Sequence, residues 1–142
     1  LMTKEYFQLP TEDIDNYWTV FAPKIHEALT KADNDDYSLE GVYWRLKSNV
    51  LQLFFILNGD QLETMFVTSV TRFDKSAYLT PVFITSMNHK NKTNLKFLQS
   101  CLIEIAKQYG CNKIYGGGRK GWSRVLKKLG YKKETFMTLT LE

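Results

Sequence analysis

The stretch from Val50 to Thr85, VLQLFFILNGDQLETMFVTSVTRFDKSAYLTPVFIT, decides the fold class. Val50 to Leu57 is an apolar run rich in Leu, Phe and Ile, of strand length and bounded by a turn signal. That signal, Asn58-Gly59, is the strongest short mark of a hairpin, because tight turns between twisted strands need positive φ. Gln61 to Phe73 then alternates through Leu62, Thr64, Phe66, Thr68 and Val70, the period of a strand. Asp74-Lys75-Ser76 turns the chain into a further strand, Tyr78 to Thr85. The segment therefore predicts a three-stranded antiparallel meander. Pro81 marks an edge or a bulge in its last strand, since proline donates no ladder hydrogen bond.

Working outward, residues 4–9 read as a short first strand closed by Pro10. Thr11 reads as a helix N-cap, with Glu12 and Asp13 in the first turn, where the helix dipole favours acids. Ile14, Tyr17, Trp18, Phe21, Ile25 and Leu29 form one apolar stripe, which Pro23 is expected to kink or split. Ser38 caps a second, short helix running to about Asn49. Beyond the meander, Ser86 to Thr93 is polar, and Thr93 or Asn94 can cap a long helix striped by Leu95, Leu98, Leu102, Ile105, Ala106 and Tyr109. Gly110 ends it. Cys111 to Tyr115 is a short strand, Gly116-Gly117-Gly118 a turn, and Lys120 to Leu129 a helix stopped by Gly130. Tyr131 to Leu141 alternates as a final strand. The order β-α-α-β-β-β-α-β-α-β predicts an α/β domain over residues 1–142, a mixed β-sheet flanked by helices.

Composition excludes several classes. With 142 residues, 44% hydrophobic and 24% charged, the chain is neither disordered nor collagen-like. Its longest apolar run, Leu53 to Leu57, is far below the ~20 residues of a membrane span. No secretion signal opens it, so a cytoplasmic location and no membrane partner are expected. Cys101 and Cys111 read as reduced thiols, and His26 and His89 have no neighbour at zinc-ligand spacing. The charge is divided: residues 1–86 carry −5 and residues 87–142 carry +9. A basic C-terminal half points to a nucleotide cofactor, nucleic acid or an acidic surface, or else to a solvated basic face.

Among motifs, Gly116 to Gly121 matches G-x-G-x-x-G, but only 21 residues follow, too few for a doubly wound sheet. Trp122 and Tyr131 lie among basic residues, as base-stacking groups do, yet Trp122 is in phase with Val125, Leu126 and Leu129 and reads as core. No serine sits in a nucleophile elbow and no close carboxylate pair flanks a loop, so hydrolase chemistry gains no support.

The segment Tyr78 to Tyr131 resembles the GNAT acetyltransferase superfamily. The likeness is carried by Gly110-Cys111-Asn112-Lys113-Ile114-Tyr115 and by the run from Gly118 through Arg119, Gly121, Trp122, Arg124, Val125 and Leu126 to Gly130-Tyr131. That second run also looks like the GNAT-like proteins of tailed bacteriophages. The resemblance implies a splayed sheet holding acyl-CoA between its fourth and fifth strands, and direct attack of an amine on acetyl-CoA. It carries cofactor contacts onto Thr85, Ser86, Met87, Lys90, Lys92, Thr93, Asn94 and Arg119, with the backbone near Thr85 and Ser86 orienting the thioester. Thr93 and Leu95 stand where the superfamily has small residues in its phosphate loop, so their side chains crowd a pyrophosphate. Lys90, Lys92 and the helix N-terminus at Asn94 still attract an anion. Leu126 replaces the expected tyrosine general acid, and Arg119 an asparagine. Glu63 is a candidate base because it is a carboxylate on a sheet element; its plainer reading is a solvated residue beside the Gly59 turn. No catalytic residue is assigned. Three functions follow: an N-acyltransferase on an unknown amine; a catalytically silent phage protein acting through a protein partner or virion components, in host cytoplasm or virion; and a nucleic-acid binder using the +9 half, with steep salt dependence.

Overall fold

A computed structural model describes residues 3–32, 36–87, 93–117 and 122–141. Five strands, β1 (Lys4–Gln8), β2 (Leu51–Asn58), β3 (Gln61–Arg72), β4 (Ala77–Ser86) and β5 (Lys113–Ile114), form one sheet in the order β1-β2-β3-β4-β5. β1 to β4 pair antiparallel in succession, and β5 joins β4 in parallel. Four helices, α1 (Ile14–Lys31), α2 (Leu39–Lys47), α3 (Leu95–Gln108) and α4 (Trp122–Lys128), complete the described chain. The mixed α/β architecture read from the sequence is present.

The strand period of two distributes the apolar side chains between two layers. Leu53, Phe55, Met65, Val67 and Phe83 meet Ile14, Ile25, Ala28 and Leu29 of α1 and Val42 and Leu46 of α2. Phe54, Ile56, Phe66 and Leu79 face the other way, onto Leu98, Cys101, Leu102, Ile105 and Ala106 of α3. Both faces of β2 and β3 are thus covered. The Phe54 and Phe66 rings stack with centroids 5.2 Å apart, and full burial of such a side chain stabilises by ~1.5–3 kcal/mol. Thr68, buried in this centre, donates to Gln52 Oε1 at 2.8 Å, so neither polar group is left unsatisfied by the other.

Local turn chemistry behaves as the residues dictate in most places. Gly59, Gly110 and Gly130 all take positive φ, at 62°, 71° and 97°, and Ser38 Oγ accepts from Gly41 N at 2.9 Å to cap α2. Two expectations are corrected, and the reading of Pro23 as a helix break is set aside. Thr11 caps no helix: Pro10 stands at the cap position and Thr11–Asp13 is a 3-10 turn leading into α1. Pro23 lies inside α1 without dividing it, because only one backbone donor is lost and the buried stripe continues through Leu29. The final strand does not form. Tyr131 to Leu141 has no regular structure, and Phe136, Met137, Leu139 and Leu141 are 85–92% exposed. Its neighbour β5 is only two residues long, too little ladder to organise it. Among the described residues no helix is long and apolar enough to cross a membrane.

Candidate functional site

The sheet opens between β4 and β5. Their parallel pairing spans only Tyr78 with Lys113 and Leu79 with Ile114. The last bond beyond it runs from Tyr115 N to Leu79 O at 2.9 Å. β4 continues to Ser86, while the chain leaves β5 through Gly116 and Gly117.

A bulge in β4 decides what this opening presents. Val67 of β3 is opposite Phe83 and Thr68 is opposite Pro81, so Val82 is an extra residue. Pro81 therefore sits at the bulge its chemistry favours. Before the bulge, Ala77 and Leu79 turn their carbonyls to the β5 side, where Asn112 N and Tyr115 N donate to them. After it, Met87 N donates to Glu63 O of β3 at 2.9 Å. Alternation along the strand then turns the amide of Ile84 to the side from which β5 diverges. The bulge has reversed the parity, and Ile84 offers a backbone donor along the opening.

A cleft lies beside that edge, lined by Pro81 and Ile84 of β4, Leu95 and Leu98 of α3, and Trp122 and Leu126 of α4. Close packing keeps it narrow. A Cβ at Gly116 would stand 3.0 Å from Leu126 Cδ1 and 3.1 Å from Tyr131 Cε2, so glycine is what lets α4 approach. Tyr131 donates to Gln99 Oε1 at 2.8 Å, tying the end of α4 to α3. Burial pushes the Tyr131 phenol pKa up, and the Gln99 bond acts against that shift. The cleft volume is ≈60 Å³, room for about four water molecules at ~15 Å³ each. Trp122 is half-buried on its wall, as its phase in the sequence implies.

The N-terminus of α3 stands at the far end of β4. Asn94 Oδ1 accepts from Phe97 N at 3.1 Å, so Asn94 is the cap that the sequence left open between two residues. Thr93 Oγ1 lies 3.2 Å from Thr64 Oγ1, anchoring this helix end to β3. Leu95 turns into the α3-side core and the cleft wall. Thr85 and Ser86 are half-buried on the last residues of β4, and Met87 packs against the α1–α2 core. Lys90, Lys92 and Arg119 lie outside the described residues. The structure thus brings Thr85, Ser86, Met87, Thr93 and Asn94 to one end of the sheet.

Glu63 is not a solvated hairpin residue. Ile56 is opposite Thr64 and Leu57 is opposite Leu62, so Glu63 is the extra residue of a second irregularity, on β3. It is 3% exposed, and its Oε1 accepts from Lys4 Nζ at 3.0 Å. Its Oε2 has no hydrogen-bond partner among the described residues. Lys4 lies 59 residues upstream, which no local pattern links to Glu63. A larger cavity of ≈980 Å³ lies on the outer side of β5, between α3, α4 and residues 132–136. Among the described residues no cluster of His, Cys, Asp and Glu is arranged to hold a metal.

No family model and no curated protein matches the chain. Solved structures do. A protein from Clostridium acetobutylicum, described as a predicted acetyltransferase and crystallised with acetyl-CoA, is 15% identical over 99% of this chain and 96% of its own, with a TM-score of 0.69. An aminoglycoside acetyltransferase from a soil metagenomic sample, in complex with sisomicin, is 11% identical over 98% and 97%, at 0.67. A GCN5-related N-acetyltransferase from Ralstonia eutropha is 14% identical over 98% and 99%, at 0.65. At these identities the likeness is one of fold: the chain has the fold of these acetyltransferases over nearly its full length.

Proposed function

We propose that this chain is an acyl-CoA-dependent N-acyltransferase whose thioester substrate lies along β4 from Pro81 to Ser86. The observation that carries this reading is the bulge at Val82, which turns the Ile84 amide toward the opening between β4 and β5. A fixed backbone donor at an acyl oxygen stabilises the negative charge that develops there when an amine attacks. Acetyl-CoA, when bound, supplies the activated acyl group. Thr93 and Asn94, at the N-terminus of α3, hold its phosphates with the helix dipole and backbone amides, and Lys90, Lys92 and Arg119 add positive charge. The acceptor amine attacks as the neutral base, so its proton leaves through water or a carboxylate. The −5 charge of residues 1–86 supports a cationic amine acceptor, and the aminoglycoside enzyme of the same fold acts on substrates of that class.

The ≈60 Å³ cleft favours a second reading. Leu95, Trp122 and Leu126 occupy the space beside the bulge, and an acyl arm enters only if α4 shifts away from α3. A chain in which α4 stays closed is a silent scaffold of the same fold, acting through a protein partner, as the phage resemblance implies. The two separate in one assay. Purified chain is incubated with acetyl-CoA and a panel of primary amines, and free CoA thiol is read. The acyltransferase reading expects amine-dependent thiol release, weakened by Ile84→Pro, which removes the donor. Absence of release with every amine, together with absence of acetyl-CoA binding, supports the scaffold.

A further inference from the structure

Lys4, Lys24, Lys31 and Lys47 each hold a carboxylate, at 2.5–3.7 Å. Lys107 of α3, Lys113 of β5, Lys127 of α4, and Lys132 and Lys133 beyond it instead line the ≈980 Å³ cavity outside β5. All five are exposed, and none is ion-paired among the described residues. One acid, Glu134, stands with them in the lining, so five positive charges less one leave +4 around a single cavity. Like charges gathered without partners cost Coulomb energy, and an anion from outside removes that cost. The lining is also apolar and aromatic. Ile103, Ala106, Ile114, Leu126 and Leu129 contribute to its walls. Tyr115 and Phe136, on the same lining, are 39% and 85% exposed. Tyr115 is braced by Tyr78, with ring centroids 4.4 Å apart.

We propose that the cavity outside β5 binds an unpaired nucleic-acid strand, its phosphates on the five lysines and its bases against Tyr115, Phe136 and the apolar walls. The number of charges selects a polyanion. A monoanion with an apolar body, such as a fatty acid, neutralises one lysine and leaves four facing one another. A nucleic-acid strand carries a charge at every nucleotide and meets them all. The aromatic rings select an unpaired strand over a duplex. Stacking on a side chain needs a free base face, which a duplex keeps inside, and every base has one, so contact of this kind tolerates sequence. Gln99, Gly116, Leu126 and Tyr131 line both this cavity and the narrow cleft beside β4. The five lysines line the outer cavity and not the cleft, so strand binding does not depend on acyl-CoA entering the cleft.

Fluorescence anisotropy of labelled oligodeoxythymidylate and oligouridylate, each of about 15 nucleotides, titrated with the full chain over a range of salt, tests this. The tighter of the two identifies the strand as DNA or RNA. Five phosphate contacts at about −0.7 each predict a slope of about −3.5 for log affinity against log salt. Lys107→Gln with Lys127→Gln and Lys132→Gln, all at exposed positions, is expected to bring the slope to about −1.4 with the circular dichroism unchanged. Phe136→Ala is expected to weaken binding about tenfold at every salt concentration and keep the slope, since stacking is lost and charge is not. Lys31→Gln, on α1 and paired with Glu27, is expected to leave affinity and slope unchanged. Absence of binding at low salt overturns the proposal. So does a slope that the triple substitution leaves unaltered, and so does a duplex bound as tightly as its single strand. Displacement of the strand by micromolar acetyl-CoA also overturns it, because the lysines would then belong to the cofactor.

Discussion

The middle of the sheet and its C-terminal edge are built on opposite terms. Every residue of β2 from Leu51 to Ile56 and of β3 from Glu63 to Thr68 is buried. In β5, Lys113 is exposed and Ile114 half-buried, and exposure then rises to 92% at Met137. Helices cover the centre on both faces, so it can bury polar groups only in pairs, as Gln52 and Thr68 do. The edge holds the opening, the two cavities described above and Lys107, Lys113, Lys127, Lys132 and Lys133. Burial and exposure are thus divided between two parts of one sheet.

That contrast breaks most visibly under matched substitutions. Phe66→Ala, at 0% exposure, is expected to cost about 3–5 kcal/mol in urea unfolding. Phe136→Ala, at 85% exposure, should stay within about 0.5 kcal/mol for the protomer; equal losses would contradict the division. Next in size is Lys4→Met, which strands the Glu63 carboxylate. Lys4 is 26% exposed, so a loss of about 1–3 kcal/mol is expected, short of that for a fully buried pair. Glu63→Gln, which removes the charge, should cost less than Lys4→Met in the same titration.

Alkaline pH probes the centre through its titratable groups. Burial pushes the Cys101 thiol up to about 11, with Glu104 adding to the shift. Burial, then Glu104, pushes the Tyr6 phenol up to about 12. Both are raised in the folded state, so the stability they contribute is complete below their ordinary values. It is lost as pH rises toward the folded values. The melting temperature is therefore expected to fall from about pH 9 upward, and a flat profile to pH 11 would remove the linkage. A further effect is local: Asn94→Ala should cost about 1 kcal/mol, read by thermal melting, because one cap bond at the start of α3 is lost.

The elements legible in the sequence are those fixed by local chemistry. The meander announced itself through the Leu51 to Leu57 run, Asn58-Gly59 and the Gln61 to Phe73 alternation. Pro81 marked its bulge, and Ser38, Gly110 and Gly130 marked helix ends. The failures are non-local. Alternation in Tyr131 to Leu141 reports which faces a strand would have, and says nothing of whether an edge exists to receive it; β5 supplies only two residues. Glu63 reads as solvated until Lys4 is brought across from β1. In the site, the strand from Tyr78 to Thr85 and a helix cap at Thr93 or Asn94 were legible from local residues. The donor parity at Ile84 depends on where the ladder slips, and the narrowness of the cleft on Gly116 meeting Leu126 and Tyr131. Neither is written in a motif.

The central claim is that the opening beside Ile84 accepts an acyl-CoA. The most direct measurement is the melting temperature with and without saturating acetyl-CoA. A ligand at about 100 times its dissociation constant stabilises by ~2.7 kcal/mol, a rise of roughly 5–10 °C for a chain of this size. The account predicts a rise of that order, reduced by Ile84→Pro. An unchanged melting temperature at millimolar acetyl-CoA would contradict it and leave the fold without the chemistry.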